Sequence, residues 1–466
     1  MERWNRSFVA PIFVLTAALR LTLGIVNRWW NDYHMRIVYK ILLTHRIPVA
    51  NECWECHHPK AFYLTTAGIV KLLSLPFGNP ATIAGQLLNV FVSLAGLLVF
   101  AQFLTSLEIS HRTRNLVFLT VALNTCWGAI SAQATTDSFA ITFGMMAFVA
   151  SYRFFVAPSG PRLFLCALFC ALGAVSKFSG VLVLLLTIFN VALSFLSDRR
   201  VAARNALCSR WILGVILLLA PLPWLGGYVS AARITGDPLT MGVPKYEVPS
   251  FFAKTTRNRP GIQSIWSGYF TFDLVDVLEH PYTSNGQAPE PAHRTSFWSQ
   301  LYGRAFYTRF ESWPAQWHVQ NRLVDDVGRA ELLLGLSVVL VTLIGAASAA
   351  GATLRRLPTI LSRPLEAREY LRVISLTSAG AFLMSLFRVT ATLRDFAAIK
   401  PMYLLPALFG FAVLYLEGWQ TIEGRWQRSC GVLATLVIAL MLFQVVDLAW
   451  LVSDLTRIHE PALIEL

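Results

Sequence analysis

Four stretches of the chain, 180–196, 211–225, 332–350 and 431–443, run without a charged residue. A hydrocarbon core about 30 Å thick is crossed by roughly 20 apolar residues in a helix. Blocks of this kind therefore decide the fold class before any motif is read. Of 466 residues, 55% are hydrophobic and 14% charged, against about 25% charged in soluble domains. The expectation is an all-α polytopic membrane protein. No short basic and apolar leader with a small-residue cleavage site precedes the first apolar segment, so that segment is expected to be retained.

About eleven spans are expected, at 8–27, 82–105, 115–133, 137–156, 162–177, 178–197, 211–230, 331–350, 369–388, 394–417 and 430–452. The net charge of +13 could suggest a nucleic-acid partner. Its placement argues against one. Arginines crowd the short loops at 111–114, 153–162, 198–210, 355–368 and 425–428, which the positive-inside rule makes cytoplasmic. Alternation then puts 28–81, the turn near 134–137, 231–330, 389–393 and the tail on the other, outer side.

The segment 61–77 is apolar enough to be counted as a span. Counting it would put every later Arg-rich loop outside, so it reads as a helix lying on the outer surface. Residues 35–46 repeat Met35, Val38, Ile41 and Leu42 at helical spacing, with Arg36, Lys40 and Thr44 opposite, the pattern of an interfacial amphipathic helix. Trp29-Trp30 marks the membrane boundary. Three regions follow: an N-terminal transmembrane module at 1–230 with the first outer loop at 28–81, an extracytoplasmic region at 231–330, and C-terminal transmembrane helices at 331–466. About 100 residues is long for a structureless loop, so 231–330 should hold short helices. No internal repeat is visible, which weakens a transporter built from inverted repeats.

Polar residues concentrate on the outer face. Asp32, in Asn31-Asp32-Tyr33-His34, and Asp137, in Thr135-Thr136-Asp137-Ser138, can each cap the helix that follows. Each can also act as a general base or hold a developing charge, and an acid at this depth is a site hypothesis by default. The stretch NECWECHHPK at 51–60 supplies Glu55, His57, His58 and Lys60, with Phe62 and Tyr63 beyond. Near span ten stand Arg394, Lys400 and Tyr403. Lys400, about one and a half turns inside that span, either snorkels to the interface or binds a lipid phosphate.

In order and placement these segments resemble the GT-C superfamily of membrane glycosyltransferases, close in pattern to the protein O-mannosyltransferases and the aminoarabinose transferase of lipid A. Asp32 matches the acidic residue after span one. His57-His58-Pro59-Lys60-Ala61-Phe62-Tyr63 matches the later box of the first outer loop, and Thr136-Asp137-Ser138 the carboxylate opening span four. Ala174-Val175-Ser176-Lys177-Phe178-Ser179-Gly180 resembles the family's "L-x-K-x-x-G" stretch, and Gly236-Asp237-Pro238 its "G-N-P" step. Lys400-Pro401-Met402-Tyr403-Leu404-Leu405-Pro406 resembles a late "G-R-Y-L-L-P" stretch. The likeness runs from about residue 8 to 416. Two departures stand out: Lys400 comes two positions before the family's usual Arg, and the box has one proline where the commoner form has two.

The resemblance implies a polyprenyl-phosphate-linked sugar donor, a lipid, glycan or protein acceptor, and surrounding membrane lipids as partners. It implies single displacement with Asp32 as base. The leaving phosphate would be held by Lys60, with His58, His57, Arg394, Lys400 and Tyr403, and the site supported by His34, Glu55 and Tyr63. Asp137 would orient the acceptor or join a divalent cation such as Mg or Mn. No metal-ligand set is assigned. A compact, Arg-rich chain without a retention signal points to a bacterial plasma membrane.

Cys53-x-x-Cys56-His57 is also the spelling of a c-type haem attachment site. Four readings stay open: a disulfide between Cys53 and Cys56 on the oxidising side, two packed thiols, a metal knuckle with His57 or His58, and haem. Haem is disfavoured because the short loop offers no pocket. Cys126, Cys166, Cys170, Cys208 and Cys430 lie in or beside spans, as small core residues do. Two other functions are carried forward: a secondary transporter or lipid flippase, for which Arg20 and Lys177 are the sparse mid-membrane charges, and a membrane redox protein built on the CxxCH.

Overall fold

A computed structural model describes residues 9–27, 34–236, 238, 265–282, 296–310, 321–359, 362–393 and 399–457. Among them there are helices and no strand. In chain order they are α1 (Val9–Val26), α2 (His34–Thr44), α3 (Ala61–Leu72), α4 (Asn79–Ser106), α5 (His111–Ala122), α6 (Thr125–Ser131) and α7 (Asp137–Val156). Next come α8 (Gly160–Ala174), α9 (Ser179–Leu193), α10 (Arg200–Leu207), α11 (Trp211–Leu219), α12 (Leu222–Leu225) and α13 (Tyr228–Thr235). The rest are α14 (Ile265–Phe270), α15 (Leu274–Glu279), α16 (Phe297–Phe306), α17 (Arg322–Arg356), α18 (Ala367–Leu393), α19 (Leu408–Arg425) and α20 (Gln427–Arg457).

Eight helical runs among the described residues are long and apolar enough to cross a membrane. The chain is an integral, multi-pass membrane protein. Three expected spans look different. The segment 115–133 is broken at 123–124, where Asn124 caps α6 by accepting from the Trp127 amide at 2.8 Å. Arg20 of α1 donates to the freed Ala122 carbonyl at 3.1 Å and lies 4.4 Å from the Trp127 ring. A cation at a helix C-terminus meets the dipole favourably, so the mid-membrane Arg20 has a structural task. α8 is 15 residues long. The helix expected from 394 starts only at Leu408, after two 3-10 turns at Pro401–Tyr403 and Leu405–Ala407. Lys400 therefore sits in extended backbone before the first turn, not inside a helix as expected, because Pro401 and Pro406 interrupt the helical ladder.

The two short helices read in 28–81 form. α2 buries His34, Met35, Ile37, Val38 and Tyr39, while Arg36 and Thr44 are exposed. α3, with 12 residues, buries Phe62, Tyr63, Thr66, Ala67 and Val70 against α2 and α4. It is too short to span a bilayer.

Hydrogen bonds define two ends of the bundle. At one, the Ser110 hydroxyl donates to Glu423 at 3.1 Å, Arg112 to the Cys430 carbonyl at 3.0 Å, and the Leu365 amide to the Leu196 carbonyl at 2.8 Å. Arg-dense loops gather there. At the other, Asn27 donates to the Ala132 carbonyl at 3.0 Å and Asn89 to the Gln133 and Thr135 carbonyls at 2.6 and 2.8 Å. Small residues let the spans close. A Cβ on Gly345 of α17 would strike the Leu414 carbonyl of α19, and one on Gly418 the Val341 carbonyl. Such close approach is how membrane helices gain packing without a hydrophobic driving force between them. In the 231–330 region, α14, α15 and α16 are short helices; 239–264, 283–295 and 311–320 lie outside the described residues.

Candidate active site

The Asn89 bonds hold the turn that precedes α7, and the Thr135 hydroxyl accepts from the Asp137 amide at 3.2 Å. Asp137 is the first helical residue rather than the cap, which is Thr136. Its carboxylate pairs with the ammonium of Lys177. Both are buried, at 3% and 8% exposure. Burying one such charge without the other costs several kcal/mol, so the two positions need one another.

Lys177 reaches Asp137 because α8 stops at Ala174 and turns into α9 at Ser179. A Cβ on Gly180 would collide with the Gly173 backbone, so only glycine lets the two helix ends meet this closely. The turn is tied on both sides. The Ala61 amide donates to the Val175 carbonyl at 2.9 Å, and the Tyr228 hydroxyl to the Ala174 carbonyl at 2.5 Å. Lys177 lies 5.4 Å from the Tyr403 ring, within cation–π range. Lys177 is therefore not a mid-span charge; it belongs to a turn at the site end.

The stretch 51–60 forms the adjoining wall. Cys53 and Cys56 are joined in a disulfide around a 3-10 turn, Trp54–His57. Of the four readings, the structure shows the disulfide. Lys60 is buried at 6% exposure, donates to the Cys56 carbonyl, and lies 5.7 Å from the Tyr63 ring. His34 Nδ1 shares a 2.6 Å hydrogen bond with the Tyr63 hydroxyl. The His34 and His58 rings are 5.8 Å apart, those of His57 and His58 4.2 Å, and Phe178 lies 6.3 and 6.1 Å from His57 and His58. Glu55 lies 2.7 Å from His58 Nε2.

Electrostatics follow from burial and crowding. Burial pushes the Lys60 ammonium down to about 7, against the pull of Glu52 and Glu55. Burial first, then the charges of Lys177 and His34, hold the His58 imidazole well below its usual range. Lys60 and Asp137 also act on the His58 ring. The structure brings together His34, Glu55, His57, His58, Lys60, Tyr63, Asp137 and Tyr403. Lys400 is half-buried three residues before Tyr403. Asp32 and Arg394 lie outside the described residues, as do Trp29 and Trp30.

No family model matches the chain, and no curated protein matches it. Among solved structures, the apo oligosaccharyltransferase of Archaeoglobus fulgidus superposes with a TM-score of 0.50 at 11% identity, covering 97% of this chain and 56% of that one. The fold is GT-C. The same enzyme tethered to an acceptor peptide gives a TM-score of 0.46 at 10% identity, over 97% and 56% of the two chains. ArnT of Cupriavidus metallidurans, bound to undecaprenyl phosphate, gives 0.35 at 12% identity, over 89% and 77%. The chain spans about half the length of the oligosaccharyltransferase it matches.

On this GT-C scaffold the principal residue not chosen from sequence is Lys177. Its signal was present, in the lysine of Ala174–Gly180 placed between two apolar segments. What identifies its role is the partner, Asp137, 40 positions away. Phe178 and Tyr228 carried no signal beyond ordinary core aromatics. For a Mg or Mn ion the fit is poor at Asp137. Such ions take oxygen ligands in near-octahedral arrays, whereas this carboxylate already holds Lys177. Among the described residues no triad of His, Cys, Asp and Glu donors forms around it.

Proposed function

We propose that the chain is a membrane glycosyltransferase that moves a sugar from a polyprenyl-phosphate carrier to an acceptor hydroxyl, on the extracytoplasmic face of a bacterial plasma membrane. The observation that carries this reading is a buried Asp137–Lys177 pair ringed by Lys60, His34, His57, His58 and Tyr403 at one end of a GT-C fold. The placement of that end, opposite the Arg-dense loops, supports the extracytoplasmic assignment.

The chemistry suits the residues. The acceptor oxygen attacks the anomeric carbon and its proton passes to Asp32. The bond from that carbon to the phosphate oxygen breaks, and polyprenyl phosphate leaves. Lys60 neutralises the departing phosphate, with Lys400, Arg394 and the neighbouring histidines in support, since charge-assisted bonds to phosphate are strong and preorganised cations stabilise charge as it develops. Lys177 is held by Asp137 beside the same wall, so the pair orients the groups around it. Single displacement needs one base, not the two carboxylates of a retaining glycosidase.

Purified protein in detergent or nanodiscs, given polyprenyl-phosphate sugars of several head groups, should release lipid phosphate with at least one. Asp32→Asn should abolish release. Full activity in that variant would sink the base assignment. Sugar uptake into liposomes with no bond cleavage would favour transport instead.

A further inference from the structure

Arg20 of α1 is buried at 3% exposure, and only part of its guanidinium is used. Nη2 donates to the Ala122 carbonyl at 3.1 Å. Nε and Nη1 are buried with no hydrogen-bond partner among the described residues. The same holds for the Thr16 hydroxyl, one turn earlier on the helix, and for the indole N–H of Trp127, whose ring lies 4.4 Å from the guanidinium carbon. Thr16, Arg20 and Asn124 are the polar walls of a cavity closed mainly by Leu19, Leu23, Leu123 and Leu448. Asn124 has committed its side-chain oxygen to the Trp127 amide, so an NH2 donor is what it can offer a guest. Each unused polar group here can donate. No charged group among the described residues acts on Arg20. A guanidinium stays protonated in proteins, and a buried charge without a counter-charge is strongly destabilising.

We propose that this cavity, between α1, α5, α6 and α20, binds one monatomic anion of the halide class, held by Arg20 and Thr16. Its volume is about 10 Å³, the room for a single water-sized guest. Phosphate, sulfate and a lipid head group are too large for it. A water molecule would fill the space but leave the charge of Arg20 unbalanced. A halide accepts hydrogen bonds, donates none and carries the opposite charge, which matches a ring of donors around a guanidinium. Bound there, it fixes Arg20 where α5 ends at Ala122 and α6 begins at Thr125. α6 leads from that break to the turn in front of Asp137, so the ion braces the route to the candidate site. The inference does not rest on the proposed sugar transfer.

The test uses the full chain, purified in detergent with sodium gluconate as the only salt. Its melting temperature is followed as chloride, and in a second series bromide, replaces gluconate at constant ionic strength. The expected result is a saturable rise with both halides. Arg20→Met should melt at a temperature that chloride does not change. Thr16→Val, which keeps the side-chain shape and removes the hydroxyl, should raise the half-saturating chloride concentration about tenfold, the worth of a hydrogen bond to a charged group. Thr16→Val carries the test if Arg20→Met does not fold. A parent chain whose melting ignores halide overturns the proposal. So does a chloride response in folded Arg20→Met equal to the parent's, or an unchanged half-saturation in Thr16→Val.

Discussion

Two buried charge clusters sit in this bundle and behave differently. Arg309 is fully buried; its guanidinium donates to Asp447 at 3.0 Å, to Asp454 at 2.8 Å and to the Asp447 carbonyl at 3.5 Å. One cation meets two carboxylates on α20, and the cluster locks the segment after α16 to that helix. Asp137 and Lys177 make a plain one-to-one pair. An ammonium carries three donors, and this pair is surrounded by His34, His58, Lys60 and an aromatic face. Buried Glu331 of α17 also faces Arg309, so what separates the two clusters is their surroundings. The acids that meet Arg309 lie on α17 and α20, whereas the Asp137–Lys177 pair is flanked by two histidines, a lysine and an aromatic face and reads as a site.

The comparison can be broken by substitution. Asp137→Asn or Lys177→Met should lower lipid-phosphate release by about 10²- to 10⁴-fold. The double variant Asp137→Leu/Lys177→Met should restore thermal stability, because an apolar pair often replaces a buried ion pair without loss, yet remain inactive. Recovery of activity in the double variant would make the pair structural.

Arg309→Met should cost about 3–5 kcal/mol of stability, the usual result of stranding a buried charge, seen as a lower melting temperature. Adding Asp447→Leu and Asp454→Asn should recover most of it, with transfer activity within about threefold of the parent. An inactive but stable triple variant would move this cluster into the functional category.

Lys60 offers a pH handle. With its ammonium at about 7 in the unliganded protein, the positive form is lost as pH rises through that value. Donor affinity in chelator-treated enzyme should therefore fall between pH 6 and 8. Lys60→Arg, which stays charged, should flatten that profile, while Lys60→Ala should weaken donor binding about tenfold to a hundredfold at pH 6, the worth of a hydrogen bond to a charged group. A profile unchanged by Lys60→Arg would remove Lys60 from the phosphate.

The smallest effect belongs to the disulfide. It closes a very short loop, so Cys53→Ser/Cys56→Ser should cost about 2 kcal/mol or less and leave activity within a few-fold. A complete loss of activity would mean that the turn carrying Glu55 to Lys60 depends on the bridge for its shape.

The sequence alone determined what local pattern can specify. Apolar runs of span length identified α1, α4, α7, α9 and the long α17 and α20. The arginine bias set one group of loops apart, and the same bias argued against counting 61–77 as a span, where the helix that forms, α3, has 12 residues. It also marked Asp137, His34 and the 51–60 box, because polar residues at membrane depth are costly and few. Tertiary structure decided the pairings. Lys177 could be a buried mid-span charge or a turn residue until Asp137, 40 positions distant, took its ammonium. The break at 123–124 needed Arg20 from another helix to hold the Ala122 carbonyl. Lys400 lost its helix to two prolines whose effect on a long apolar run depends on what packs around it. Cys53 and Cys56 stayed ambiguous because spelling does not set the distance between sulfurs. Periodicity and composition act through solvent, which every residue meets by itself, whereas a buried charge is decided by the one group folded against it.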